Sequence, residues 1–243
     1  MAELRFAATL PSMRNPKSSR RSVFIVDDHP LVRDGLRGVI EQQPDLTVCG
    51  EAADAAQALT GVASASPDLI LIDLSLAHSS GLELLKDLVI RHPEIPVLVL
   101  SMHDEMVYAD RVLRAGARGY LMKTEGSESL LTAIRRVLLG KVFVSENVMT
   151  EIAARLGRPK AGLQPIARLS DRELQVFELI GKGMSSSDIA ERMHVSIKTV
   201  QVYVARAKEK FNVPTLKELL REAFRWEDAA NDQSVMREKE KSR

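Results

Sequence analysis

Short apolar runs alternate with amphipathic segments along the first 140 residues of the chain. The runs have no alternation of polar and apolar positions, which is typical of strands buried on both faces of a sheet. The segments between them carry apolar residues at helical spacing. This pattern predicts an α/β domain with a doubly wound, flavodoxin-like parallel sheet of five strands. The five runs are VFIV (23–26), TVCG (47–50), LILID (69–73), VLVLS (97–101) and GYLM (119–122).

The pattern changes after Lys141 and predicts a second, all-helical domain. Residues 142–167 can hold one short helix and are then rich in Gly, Pro and Lys, which is typical of a linker. A capping box opens the next helix, where Ser170 is expected to accept from the backbone of Glu173 and the Glu173 side chain to bond back. Three further helical patterns follow, so we expect a four-helix domain over 168–226.

The boundaries leave a first domain at 22–141 and two terminal segments, 1–21 and 227–243. Residues 1–21 are rich in Arg, Ser and Pro, and residues 227–243 are a mixed-charge tail without apolar periodicity, so we expect both to be disordered. No apolar run is long enough to span a membrane, and the N-terminus lacks the apolar region of a secretory signal, which favours a cytoplasmic protein without membrane contact.

Charge differs between the two domains. Residues 22–140 carry 10 Lys/Arg against 17 Asp/Glu, whereas residues 165–226 carry 11 against 8. An acidic domain joined to a mildly basic one indicates different partners for each. Cys49 is the single cysteine, which excludes a disulfide framework or a thiolate metal site, and its apolar neighbours predict that it is buried.

Polar residues follow the predicted strands at their carboxyl ends, where doubly wound sheets bind ligands. Asp27 and Asp28 follow the first run, and Asp73 ends the third. Three carboxylates in a confined pocket cannot all stay ionised without a cation, and a small oxygen-lined site is suited to Mg²⁺. Ser101 and Lys123, at the last two strand ends, offer a hydroxyl and an ammonium group to phosphoryl oxygens. Asp73 is therefore a candidate phosphoryl acceptor.

These features resemble the receiver domain of two-component response regulators over residues 22–140. Four motifs occur in the family's order, each at a strand end: DD, LILIDL, VLVLS and GARGYLMK. The resemblance implies that Asp73 is the phosphorylation site. It also implies that Mg²⁺ is bound by Asp27, Asp28, Asp73 and the backbone carbonyl of Ser75. The residues implied for phosphoryl binding and for the switch are Ser101, Lys123 and Tyr120.

The loop after the acceptor departs from the family pattern. Leu76 and Ala77 stand where Met-Pro is common, and His78 adds a titratable group. A loop without proline is conformationally less restricted. We therefore expect the position of the Ser75 carbonyl, an implied metal ligand, to be less fixed, and the geometry of the acceptor or the lifetime of the phosphoryl group to be altered.

Structural roles remain open alternatives for the pocket residues. The acidic pair can be stabilised by a helix N-terminus, and Lys123 can be a solvated surface lysine. Ser101 can serve as a cap and Tyr120 as a core aromatic. The histidines lack metal-ligand spacing, so surface or packing roles are expected for His29, His92, His103 and His194.

The third helix of the second domain has a core face and an opposite face with unusual chemistry. Helical spacing puts Val200, Val204, Ala207 and Phe211 on the core face. Val202 then lies on the opposite, solvated face, which suggests contact with a thymine methyl group. A short helix, a tight turn at MHVS and this basic helix predict a helix-turn-helix, with a protein-binding helical bundle as the alternative. The predicted DNA contacts are Lys198, Thr199, Gln201, Val202, Ala205, Arg206 and Lys208, with Lys210 as a further phosphate contact.

The second domain is similar to the LuxR-type output domain. The family pattern is present at Leu169, Ser170, Arg172, Glu173, Gly183, Lys198, Thr199 and Val200. Tyr203 stands where His is frequent and Ala205 where longer polar residues are frequent, so base preference does not carry over. The family's last helix mediates dimerisation, with packing inside the domain as the alternative role. The implied dimer residues are Leu216, Leu219, Leu220 and Ala223.

Together these observations predict a DNA-binding transcriptional response regulator of the NarL/FixJ class. A histidine kinase is expected to phosphorylate Asp73, and a homodimer to bind promoter DNA. The protein is expected to catalyse only its own phosphotransfer and autodephosphorylation. Two alternatives remain: a phosphatase-like enzyme with an aspartyl-phosphate intermediate, for which we find no second acid or substrate cap, and a regulator that acts through protein contacts or binds DNA without phosphorylation.

Overall fold

A parallel five-stranded sheet forms the centre of the first domain in the computed structural model, which describes residues 20–76, 80–155 and 165–226. The strand order is β2-β1-β3-β4-β5, and all neighbouring strands are parallel. This is the predicted doubly wound topology. The strands are β1 (Arg21–Val26), β2 (Leu46–Ala52), β3 (Leu69–Asp73), β4 (Val97–Ser101) and β5 (Gly119–Met122).

Helices cover both faces of this sheet. Alternate residues of one strand enter two different cores, since Phe24 and Val26 belong to one apolar cluster and Val23 and Ile25 to the other. Burial on both faces explains why the strands contain so few polar residues. The helices are α1 (Pro30–Glu41), α2 (Ala55–Ala65), α3 (Gly81–Arg91), α4 (Glu105–Arg114) and α5 (Ser127–Leu138).

Cys49 is exposed, contrary to the prediction that it is buried. The cause is a register shift in the pairing of β1 with β2: Val23 pairs with Val48 and Phe24 with Gly50. Cys49 is the extra residue of this bulge, so the apolar run continues while one side chain turns toward solvent.

The second domain is helical. Its third α-helix follows a tight turn in which His194 adopts a φ of 54°. The Ser170–Glu173 capping box is present as predicted, and a second one joins Ser185 and Asp188. The helices are α7 (Asp171–Gly181), α8 (Ser186–Arg192), α9 (Ile197–Phe211) and α10 (216–226).

The segment predicted as a linker contains regular structure on both sides of the undescribed residues 156–164. A helix, α6 (Glu146–Arg155), contacts α4, and a 3-10 helix at Pro165–Arg168 leads into the second domain. The two terminal segments lie outside the described residues, except for residues 20 and 21. Arg21 is the first residue of β1. Among the described residues, no helix combines the length and apolar character needed to cross a membrane.

The two domains touch through a charged contact that the sequence did not predict. Asp171, at the start of α7, lies 2.7 Å from Lys86 Nζ on α3 and 3.1 Å from an Arg111 guanidinium nitrogen on α4. Burial acts to raise the pKa of Asp171, but the two cations outweigh it and lower the pKa below its ordinary value. Arg111 also donates to the carbonyl of Ile166 at 3.0 Å. The second domain therefore packs against α3 and α4 through these contacts.

Candidate functional site

The sheet topology brings the predicted acidic pocket together. β1 is next to β3, so the carboxyl ends that carry Asp27 and Asp73 are adjacent, and both side chains are buried. Lys123 follows β5, and its Nζ lies 2.6 Å from Asp27 Oδ2 and 2.7 Å from Asp73 Oδ2. Lys123 is thus a bridging cation inside the pocket and not a solvated surface lysine.

Asp73 is oriented by a donor on each carboxylate oxygen. Lys123 donates to Oδ2, and the backbone N–H of Ser75 donates to Oδ1 at 3.0 Å. Burial acts to lower the pKa of Lys123, but the charges of Asp73 and Asp27 outweigh it and raise the pKa. The ammonium therefore stays protonated and can neutralise charge on an incoming phosphoryl group.

The acid pair has the donor set of a cation site. One ligand atom from each of Asp27, Asp28, His29 and Asp73 lies within 4.8 Å of the others. Asp28 Oδ1 is enclosed, and although His29 Nδ1 lies 2.8 Å away, no described residue gives this oxygen a well-aligned hydrogen bond. An enclosed carboxylate oxygen without a well-aligned donor is costly, and a hard divalent cation removes that cost. These carboxylates therefore fit Mg²⁺.

His29 lies closer to this pocket than its predicted surface role implies. Its ring is mostly exposed, yet Nδ1 is 2.8 Å from Asp28 Oδ1. The backbone N–H of His29 also donates to Asp27 Oδ1 at 2.8 Å. The signal in the sequence was its position directly after the acid pair and before the proline that opens α1.

Gly81 was not recognised from the sequence, and it determines how closely α3 approaches the acceptor. A Cβ at this position would lie 2.4 Å from Leu74 Cα and 2.6 Å from the Asp73 carbonyl oxygen. Only glycine fits at this distance. Ser80 caps α3 in the same turn by accepting from Glu83 N. Ala77 and His78, part of the loop that departs from the family pattern, lie outside the described residues.

The two predicted switch residues meet at the backbone of His103. Ser101 is fully buried, and its Oγ accepts from His103 N at 3.1 Å. Tyr120 points inward, and its hydroxyl donates to the His103 carbonyl at 2.6 Å. Burial raises the pKa of Tyr120, so its hydroxyl stays a donor. Tyr120 is both a core aromatic and a hydrogen-bonding partner of the β4–α4 loop.

The outer face of α9 carries the side chains predicted to contact DNA. Val200 and Ala207 are buried on the opposite face, and Val202 is 43% exposed. Ile197, 48% exposed at the first turn, is a second apolar residue on this surface that the sequence analysis missed. Five members of the predicted set are exposed: Lys198, Gln201, Val202, Ala205 and Arg206. The other two, Thr199 and Lys208, are half-buried.

Lys210, which we expect to contact phosphate, forms an ion pair within the second domain. Its Nζ lies 2.5 Å from Glu173 Oε2, inside the second domain. The same carboxylate oxygen completes the capping box of α7 by accepting from Ser170 N. Lys210 therefore joins the end of α9 to the start of α7.

The apolar face of α10 is divided between the domain core and its surface. Leu219 and Ala223 are buried, and Ala223 lies so close to α7 that a Cβ on Gly181 would be 2.9 Å from its carbonyl oxygen. Leu216 and Phe224 are each 46% exposed. Of the four residues predicted for dimerisation, Leu219 and Ala223 thus pack within their own domain, which leaves Leu216 exposed and Leu220 half-buried.

Comparisons with known proteins agree with this arrangement. Residues 23–135 match the model for the response regulator receiver domain, and residues 167–223 match that for bacterial regulatory proteins of the luxR family. The oxygen regulatory protein NreC of Staphylococcus epidermidis is 32% identical over 210 residues, which cover 84% of this chain and 96% of the relative. NreC of Staphylococcus carnosus is 34% identical over 209 residues, with the same coverage.

The chain belongs to the response regulators with a LuxR-type output domain. This family consists of transcription regulators and not of classical enzymes. One solved response regulator of the LuxR family, from Aurantimonas sp. SI85-9A1, is 33% identical and has a TM-score of 0.53, covering 58% of this chain and 100% of that chain. RcsB from Salmonella enterica serovar Typhimurium, bound to a promoter with the phosphomimetic BeF3−, is 26% identical with a TM-score of 0.66, covering 84% and 98%.

Proposed function

We propose that this response regulator binds promoter DNA and that phosphorylation of Asp73 controls the binding. The observation that carries the proposal is the setting of Asp73, a buried carboxylate held between the Lys123 ammonium and the Ser75 N–H. The neighbouring acid pair, Asp27 and Asp28, offers a cation site within reach of the same carboxylate. A nucleophilic carboxylate flanked by fixed positive charge is suited to phosphoryl transfer.

The residues of this pocket have separate tasks in the transfer. Asp27, Asp28, Asp73 and the Ser75 carbonyl would hold Mg²⁺, which supplies charge neutralisation at the phosphoryl oxygens. An oxygen of Asp73 attacks phosphorus while the bond to the donor's leaving group breaks. Lys123 neutralises the developing negative charge, and Ser101 donates to a phosphoryl oxygen. Hydrolysis of the acyl phosphate by water returns Asp73 to its free state.

Family membership supports our proposals for the phosphoryl donor and the DNA complex. We assign the phosphoryl donor to a histidine kinase, whose phosphohistidine loses its P–N bond in the transfer. The exposed face of α9 would enter the major groove, with Val202 on the bases and Lys198 on phosphate. The exposed Leu216 and Phe224 of α10 offer apolar area for a homodimer. Dimers of RcsB bound to DNA have been solved and support this arrangement.

Mass spectrometry of the full-length protein tests the proposal. After incubation with Mg²⁺ and acetyl phosphate, the wild type should gain the mass of one phosphoryl group, and Asp73→Asn should gain none. DNA binding measured on the same samples should strengthen only in the wild type. Phosphate on the Asp73→Asn variant would refute the assignment. Equal DNA affinity with and without phosphate would instead indicate control by protein contacts.

A further inference from the structure

His103, in the loop between β4 and α4, contacts the phosphorylation pocket with three polar groups. Its backbone N–H donates to Ser101 Oγ, and its carbonyl accepts from the Tyr120 hydroxyl. Its Nε2 lies 3.0 Å from Ser75 Oγ. Ser75 also donates its N–H to Asp73, so the ring of His103 holds a residue that orients the acceptor.

The other side of the same ring faces the DNA-binding domain. Nδ1 lies 3.6 Å from Glu178 Oε1, on α7. The ring stacks on Tyr108 with centroids 4.6 Å apart, and the Tyr108 hydroxyl donates to the same Glu178 carboxylate. Glu178 and Tyr108 are buried at this contact, which strengthens their electrostatic interactions relative to water. A carboxylate on this side favours the imidazole proton on Nδ1, which leaves Nε2 to accept from the Ser75 hydroxyl.

We propose that His103 is a positioning residue that couples phosphoryl occupancy at Asp73 to the contact made by Glu178. The inference rests on the proposed function and deepens it by identifying one side chain through which the domains influence each other. A phosphoryl group on Asp73 places three acceptor oxygens beside Ser75 and Ser101, whose hydroxyls now hold His103. When those hydroxyls turn to the phosphoryl oxygens, the ring is no longer held against Glu178.

Coupling between two sites is reciprocal. If phosphoryl binding weakens the Glu178 contact, loss of that contact must tighten phosphoryl binding by the same factor. Beryllofluoride with Mg²⁺ mimics the phosphoryl group without a covalent bond, so its dissociation constant on the full-length chain measures this factor. Glu178→Gln keeps the size of the side chain and an acceptor for Tyr108 but removes the charge. We expect beryllofluoride to bind about fivefold more tightly to this variant, at the low end of typical couplings.

A double-mutant cycle tests whether the effect passes through His103. Glu178→Gln should tighten beryllofluoride binding about fivefold when His103 is present and by less than about 1.5-fold in His103→Ala. Equal tightening in both backgrounds, or none in the presence of His103, overturns the inference. Glu191→Gln removes an exposed carboxylate from α8 and is the matched control, which should bind like the wild type.

A second pair of variants separates positioning from loss of structure. The amide of His103→Gln can take the place of Nε2 and keep the Ser75 contact, whereas the amide of His103→Asn reaches only the Nδ1 position. Each variant breaks one of the two contacts of the ring, so both should bind beryllofluoride about fivefold more tightly than the wild type, and Glu178→Gln should add less than about 1.5-fold in either background. Wild-type affinity of either stably folded variant contradicts the inference. A wild type that binds no beryllofluoride overturns the proposed function as well, whereas binding without coupling overturns the inference alone.

Discussion

Gly81→Ala is expected to destabilise the receiver domain at the proposed phosphorylation site. The added methyl group would meet Leu74 Cα at 2.4 Å and two backbone carbonyl oxygens at 2.6 Å. Backbone atoms of a buried strand end cannot move away as a flexible side chain can. Overpacking typically costs about 1–3 kcal/mol, and contacts this short place Gly81→Ala near the upper limit of about 3 kcal/mol. That cost corresponds to a roughly 100-fold larger unfolded population.

Hydrogen exchange of peptides from β3 and β4 measures this change in the first domain alone, because core amides exchange through global unfolding. Their exchange should accelerate roughly 100-fold in Gly81→Ala. Gly38→Ala is the matched control. Apart from its chain neighbours and the backbone of its own helix, no heavy atom lies within 4 Å of a Cβ at Gly38 in α1, so alanine should stabilise the helix by about 0.5–1 kcal/mol and slow exchange.

The same pair of variants should differ in phosphorylation. A shift of the β3–α3 turn moves the Asp73 carbonyl and the Ser75 N–H that orients the acceptor. We therefore expect Gly81→Ala to accept phosphate from acetyl phosphate about tenfold more slowly or worse, since small misplacements of reacting groups are costly. Gly38→Ala should react like the wild type. Exchange and phosphorylation unchanged in Gly81→Ala would refute the argument that only glycine fits there.

Four further variants test other parts of the molecule. Lys123→Gln removes the pocket's bridging ammonium and should slow phosphorylation about 100-fold, and a rate within twofold of wild type contradicts that role. Asp171→Asn should loosen the contact between the domains and enlarge the radius of gyration in X-ray scattering at pH 7. Because the pKa of Asp171 is lowered, the stabilisation from this carboxylate is present above pH 3.8, the ordinary pKa of an aspartate, and is lost as the pH falls below that value. Lys198→Ala should weaken all DNA sequences alike, whereas Val202→Ala should relax preference at one base pair; equal effects in a binding-site library would refute this distinction.

The strands and the pocket could be predicted because their signals are local. Each strand is a short apolar run, and each charged residue of the pocket stands at the end of one. Parallel topology alone therefore brings Asp27, Asp73 and Lys123 together. The same logic failed at Cys49, since an apolar run does not reveal where a bulge adds a residue. Register depends on the neighbouring strand as well as on the run itself.

Contacts between the domains could not be predicted from periodicity. Tyr108 and Glu178 are 70 residues apart, and each fits its own helix pattern without reference to the other. Helical spacing likewise marks Leu216, Leu219 and Phe224 as one broad apolar face. Only the packing of α10 on α7 decides that Leu219 is covered while the other two remain exposed.

The open side of β5 is occupied by the chain itself, which limits how two copies can associate. Tyr120 N donates to the Phe143 carbonyl at 2.9 Å, and Phe143 N donates to the Arg118 carbonyl at 3.0 Å. An edge strand with free backbone groups can add a strand from another molecule and so extend the sheet into aggregates. Because Phe143 uses two of these groups, a strand from another molecule could pair along the whole of β5 only by displacing this segment of the chain.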